Sequence, residues 1–225
     1  MTMKEEKKMI DFVDLKIDCQ DVLNKVLAHE EYWTNRENTI NTFGAAAYMD
    51  DKMKYFIMKE KTNPLLKSLF SDLYEKIGDY FGAELNPDIA YPGFHIFDYS
   101  SRNNQASVHI DDQYQNLPID SDKLSNPQSF TIAIEKPSAG AGLNVWPEVN
   151  LTGSVAENRL IERSFSNNPE NHEKPEYVEY ELGIMYIHND HILHQIAKTE
   201  IQENERRVTM QGHVIQEGDK KYMYF

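Results

Sequence analysis

Cys19 is the only cysteine in 225 residues, so no disulfide can form within the chain. A chain of this length can bury a sizeable core without such staples. The shortage suits a reducing compartment, and a cytoplasmic protein is expected. Long apolar runs are missing too. Nothing approaches the roughly 20 apolar residues that a membrane helix needs. The opening MTMKEEKKMIDF is charged and is followed by no apolar leader core. Basic residues are few, 23 Lys and Arg against 37 Asp and Glu, for a net charge of −14. That balance repels a polyanion. The basic clusters Lys4/Lys7/Lys8, Arg206-Arg207 and Lys220-Lys221 are not interleaved with aromatics that could stack bases. Neither nucleic acid nor membrane is expected as a partner. Repeats and low-complexity linkers are absent as well, which points to one domain over 1–225.

What is present is enough for a core: 40% hydrophobic residues, 11% of the chain being aromatic. Residues 1–90 read as mostly helical. From Asn63-Pro64, apolar residues recur at Leu65, Leu66, Leu69, Phe70, Leu73, Tyr74, Ile77, Tyr80 and Phe81, a helical spacing with one apolar face. Pro64 suits the first turn and Gly82 the stop. A weaker periodicity runs over about 12–30. After Tyr91-Pro92-Gly93 the texture changes. GFHIFDY, ASVHIDD, SFTIAIE, GLNVW, YVEYELGIMYIH and RRVTMQGHVI are short, rich in β-branched and aromatic residues, and separated by turn residues. That is the pattern of a β-sandwich or barrel. The polar stretch 150–175 reads as an inserted loop. The expected fold class is α+β, with the helices packed on one face of a β core over 91–225. The apolar end, Tyr222 to Phe225, suits either covering that core or meeting a partner.

Three groups in the second half carry chemistry. In His109-Ile110-Asp111, an extended backbone points residues i and i+2 to the same face. One imidazole and one carboxylate can then reach a single ion, although a surface histidine beside Asp111 and Asp112 has the same sequence. GIMYIHNDHILHQI offers His188, His191 and His194, any of which can supply a second imidazole or sit satisfied at a strand end. Two imidazoles and a carboxylate form a facial triad that leaves metal positions open. Arg206 and Arg207 open an alternating strand, so one points inward and the other outward. An inward guanidinium needs an anion. Thr209, on the same face as Arg207, adds a hydroxyl to that anion's site.

These motifs, in this order, resemble the iron(II)/2-oxoglutarate-dependent oxygenases, above all the branch with prolyl hydroxylases and small bacterial amino-acid hydroxylases. The resemblance covers about 92–216. His109-x-Asp111 is similar to the family's His-x-Asp motif, and ERRVTM to its Arg-x-Ser/Thr. SFTIAIEKPSAGAGLNVWPEV resembles the strand, turn and Gly-Gly-x-Leu-x-x-Trp-like segment between them. Gly140-Ala141-Gly142 departs from that signature, and the His194–Arg207 spacing is longer than usual. The resemblance implies a double-stranded β-helix (jelly-roll, cupin-like) core. It implies iron(II) held by His109, Asp111 and His194, with His191 as the alternative distal ligand and His188 falling too early. It implies 2-oxoglutarate held by Arg207 and Thr209, with Tyr99 hydrogen-bonded to it.

The implied reaction couples O2 and 2-oxoglutarate to hydroxylation of an unactivated C–H bond, releasing succinate and CO2. An intact Asp111 favours hydroxylation over halogenation, because the halogenases of this superfamily replace that carboxylate with a small residue. The expected substrate is a small molecule, an amino acid or derivative. Asp112, Gln113, Tyr114, Asn144 and Trp146 are candidates for the outer pocket, and an acidic rim would suit a cation or zwitterion. A peptidyl, prolyl-type hydroxylase is the alternative, followed by a non-catalytic jelly-roll binding module whose histidines are structural.

Overall fold

The computed structural model describes residues 10–36, 40–101, 106–147, 149, 151, 155–168, 171–189 and 192–225. In chain order its elements are β1 (Ile10–Asp14), α1 (Cys19–Leu27), β2 (Trp33–Arg36), β3 (Ile40–Phe43), α2 (Lys52–Phe81), β4 (Glu84–Leu85), β5 (Gly93–Asp98), β6 (Leu124–Glu135) and β7 (Leu143–Val145). Then come α3 (Val155–Asn167), β8 (Glu176–Val178), β9 (Ile184–Asn189), β10 (His194–Ile196), β11 (Arg206–Glu217) and β12 (Lys220–Tyr224).

The strands form two sheets. The larger runs β1-β9-β6-β11-β5-β3-β2, with β12 beside β11 and β4 beside β12. The smaller runs β10-β7-β8. All pairings are antiparallel except β12 with β4.

Strand alternation gives the large sheet two faces with different tasks. On one face Phe94, Ile96, Phe130, Ile132, Met185, Ile187, Val208 and Met210 meet Val22, Leu23 and Val26 of α1 and Leu66, Phe70, Leu73 and Ile77 of α2. Burying each such side chain contributes about 1.5–3 kcal/mol, so this layer is the main core. The other face carries His188, Ser129 and His213 in one cross-strand row and Tyr186, Thr131 and Gln211 in the next. Part of it packs on the small sheet, where Ala133 and Tyr186 meet Leu143 and Val145. This is a helix-backed β-sandwich of jelly-roll type.

Several segments differ from their sequence reading. Residues 1–90 also supply β1, β2 and β3, which extend both edges of the large sheet. Strands of four or five residues are too short to show a period beside strong helical segments. α2 starts at Lys52, capped by the Asp51 carboxylate accepting from Lys54 N at 2.9 Å, so Pro64 lies inside it. The extra turns place only Tyr55 and Met58 in an apolar cluster, against Ala45, Ala46, Ala90 and Phe225. Polar contacts also tie them to 87–91. Asn63 Nδ2 donates to Ile89 O (2.9 Å), Tyr91 N to Asn63 Oδ1 (3.0 Å), and Lys59 Nζ to Pro87 O (3.0 Å). Gly82 ends the helix as expected, with φ of 63° in the left-handed region that glycine tolerates.

The stretch 150–175 contains α3, whose Ile161 and Phe165 pack on Val108, Ile110, Trp146 and Leu193. ASVHIDD is not a regular strand among the described residues. It touches β10 through a single bridge, His109 with His194. The apolar C-terminus covers the core: β12 pairs with β11, and Phe225 is buried with its N–H on Ala90 O.

Candidate active site

His109 and His194 exchange both backbone hydrogen bonds, each 2.9 Å long. That pairing sets their rings side by side, centroids 4.4 Å apart. Each Nδ1–H donates to a backbone carbonyl two residues back, Ser107 O and Ile192 O, both at 2.8 Å. The tautomer is thereby fixed, and each Nε2 keeps its lone pair. Those two atoms lie 3.8 and 3.6 Å from Asp111 Oδ1. The three side chains offer ligand atoms all within 4.8 Å of one another. His191 lies outside the described residues.

Burial, partly offset by Asp111, pushes His194 down to about 3 and His188 to about 4, so both rings are neutral at pH 7. Burial works against ionisation of Asp111, but His194, His213, His109 and His188 outweigh it and hold the carboxyl well below its usual range. Neutral imidazole nitrogens and one carboxylate form a donor set suited to a divalent first-row metal.

A cavity of about 680 Å³ opens beside these residues. Its walls include His95, Phe97, Thr131, Gln211, His188 and His213. Arg207 and Thr209 lie on the same face of β11 as Gln211 and His213. Both are 1% exposed, and among the described residues neither the three guanidinium nitrogens nor Thr209 Oγ1 has a hydrogen-bond partner. The guanidinium lies over the Phe97 ring, 5.3 Å from its centroid. Arg206 points the other way and pairs with Glu135 (2.9 Å).

Tyr99 stands apart from this group. It is 64% exposed and sits in the turn after β5, where the Asp98 carboxylate accepts from Ser100 N and bends the chain off the sheet. Tyr180, which sequence reading missed, is buried near Arg207, and burial, partly offset by the guanidinium, pushes its hydroxyl up to about 12. His213 was missed as well, although alternation from Arg207 along β11 puts it on the inward face; His188, which the sequence offered as one possible second imidazole, also lines the cavity. Asp112 and Gln113 line the cavity, whereas Tyr114, Asn144 and Trp146 are not among its lining residues. Trp146 packs against Phe165 of α3. From α3, Glu162 accepts from Ile110 N (2.9 Å) and Arg159 approaches Asp112 (3.5 Å). Both α3 residues line the cavity mouth.

No family model matches the sequence, and no curated protein does. Solved structures do match. An N-substituted L-amino acid dioxygenase from Burkholderia ambifaria AMMD superposes with a TM-score of 0.60 at 14% identity, covering 98% of this chain and 87% of its own. A 2OG-Fe(II) oxygenase family oxidoreductase from Burkholderia pseudomallei gives 0.50 at 11%, over 94% and 86%. The chain has the fold of the 2-oxoglutarate–iron(II) oxygenases. HygX from Streptomyces hygroscopicus, solved with nickel and 2-oxoglutarate bound, shares that oxygenase fold at a TM-score of 0.53 and 9% identity, over 92% and 83%.

Proposed function

We propose that this protein is an iron(II)- and 2-oxoglutarate-dependent dioxygenase that hydroxylates a C–H bond of a small molecule. The observation that carries the reading is Arg207. A fully buried guanidinium without a hydrogen-bond partner, beside an equally unpaired Thr209 hydroxyl, fits one end of a dicarboxylate. A metal enzyme without an anionic co-substrate has no use for it. His109, Asp111 and His194 would hold the iron. Bound together, iron and 2-oxoglutarate supply the activation of O2 that oxidises a C–H bond, with succinate and CO2 released.

The chain's own part is orientation and exclusion of water. The carbonyls of Ser107 and Ile192 fix the two imidazole tautomers. Gln113 Nε2 donates to Asp111 Oδ1 (2.9 Å) and holds the carboxylate. Val108, Ile110, Trp146 and Leu193 form an apolar layer on which Phe165 of α3 packs. α3 contributes Arg159 and Glu162 to the cavity wall, and a cavity of about 680 Å³ is of a size that suits a small molecule. An amino acid or derivative is the substrate class to screen first, in keeping with the dioxygenase from Burkholderia ambifaria.

The test is anaerobic addition of iron(II) and 2-oxoglutarate, followed by visible absorption. A weak charge-transfer band is expected, absent in both His194→Ala and Arg207→Ala. No band from folded wild-type protein refutes the oxygenase reading and leaves a binding module in its place.

A further inference from the structure

Asp111 is surrounded by four imidazoles, and the ligand set uses two of them. The other two face the second carboxylate oxygen. His188 Nδ1 lies 3.9 Å from Asp111 Oδ2 and His213 Nδ1 lies 4.0 Å from it. His213 has a partner elsewhere, since its Nδ1 is 2.9 Å from Ser129 Oγ. His188 has none among the described residues. It is 4% exposed, and neither of its ring nitrogens makes a hydrogen bond there. A buried imidazole left in that state is costly. An apolar side chain of similar size would not carry that cost. The His188 ring also packs edge-on against His194, centroids 4.8 Å apart. It therefore touches one proposed ligand and faces another.

The two oxygens of Asp111 are not equivalent. Oδ1 faces both Nε2 atoms and accepts from Gln113. Among the described residues, no hydrogen bond reaches Oδ2, and His188 Nδ1, itself without a partner there, lies 3.9 Å from it.

We propose that His188 is a positioning residue for Asp111, its Nδ1–H engaging Oδ2 so that Oδ1 is the oxygen offered to the metal. The inference rests on the metal-centre reading above. Closing the contact takes a shift of about 1 Å, to an ordinary N–H···O distance. Partners of this kind orient ligating carboxylates and commonly matter about 10–100-fold in metal affinity. Donation from Nδ1 leaves Nε2 of His188 as an acceptor in the cavity wall, free to take an O–H or N–H from whatever binds there.

Anaerobic cobalt(II) titration of the full chain, followed by visible absorption, tests this beside thermal melts of the metal-free proteins. His188→Phe is expected to keep the metal-free melting temperature and to bind cobalt at least about tenfold more weakly. His188→Asn, whose amide can donate to Oδ2, is expected to recover most of that loss with an unchanged band shape. Should His188→Phe fail to fold, His188→Leu provides the same comparison. Equal cobalt affinity in wild type and the apolar variant overturns the inference and leaves the metal centre standing. A changed band shape in His188→Asn also overturns it, because His188 would then be a ligand. A wild type that takes no cobalt at all removes the metal-centre reading itself.

Discussion

Arg207 is costly to the protein on its own account. Burial lowers the affinity of its guanidinium for a proton, and a cation taken out of water without an anion destabilises the fold. The Phe97 face beneath it offsets part of that cost. Two outcomes follow for Arg207→Met, which keeps the bulk and removes the charge. Without 2-oxoglutarate the variant is expected to melt at the same temperature as wild type or higher. With manganese(II) and 2-oxoglutarate at about 100 times its dissociation constant, wild type should gain about 2.7 kcal/mol, and the variant nothing. Melting curves with and without 2-oxoglutarate read both effects, and a variant that melts early without it would make Arg207 a structural residue. Thr209→Val is the milder case. Losing one hydroxyl contact should weaken 2-oxoglutarate binding by roughly tenfold, the equivalent of about 1–1.5 kcal/mol, as measured by calorimetry under anaerobic conditions.

At the scale of elements, α3 is the piece whose stability can be separated from the rest. It is held by an apolar cluster, by Glu162 and Arg159 beside the cavity, and by side-chain contacts of Ser164, Phe165 and Ser166 to His172 and Val108, whereas β6 and β11 are buried at the centre of the large sheet. Phe165→Ala removes the ring that packs on Trp146, and such a truncation costs about 3 kcal/mol when the ring is well buried. The loss should fall on docking of α3. Hydrogen exchange should speed up over 155–167 and stay slow in β6 and β11. Uniform loss of protection would show that α3 and the sheet unfold together. The sequence announced β5, β6, β9 and β11 because alternation over six or more residues is a strong signal. It also carried the His109–Asp111–His194 and Arg207–Thr209 groups, since residue type and order survive without coordinates. α3 stayed hidden because its composition is polar apart from a few residues. The first turns of α2 stayed hidden because Tyr55, Lys59 and Asn63 anchor them by hydrogen bonds, which leave no hydrophobic period. The resemblance put His188 too early to be the distal ligand, and its closeness to Asp111 was not legible because it arises from packing between elements far apart in the chain.

Seen as a whole, the molecule keeps its apolar core on one face of the large sheet and its polar cavity on the other. One buried ion pair braces the cavity side. Arg36 at the end of β2 pairs through both terminal nitrogens with Asp50, just before α2, and its Nε donates to Thr42 Oγ1 (3.1 Å). The Asp50 side chain is fully buried and that of Arg36 is 7% exposed. Lys54 Nζ adds a contact to Asp50 at 3.2 Å, and Ala46 N donates to it at 3.3 Å. Tyr48 lies between these partners in sequence, and its hydroxyl reaches His95 Nε2 at 2.8 Å in the cavity wall. Asp50→Asn leaves Arg36 buried without its anion and is expected to cost about 3–5 kcal/mol at pH 7. The pH dependence has a definite sign. Burial works against the Asp50 carboxylate, but the hydrogen bonds and charge of Arg36, helped by Lys54 and Ala46, prevail and lower its pKa below 3.8. A carboxyl whose folded pKa is depressed contributes stability above its unfolded value and loses it as pH falls through the folded one. The gap between wild type and Asp50→Asn should therefore hold constant from pH 7 to about pH 5 and close below about pH 4. Urea denaturation of both proteins across that range measures it. A gap that shrinks already between pH 7 and 5 would mean that a histidine, not Asp50, sets the acid limit of this fold.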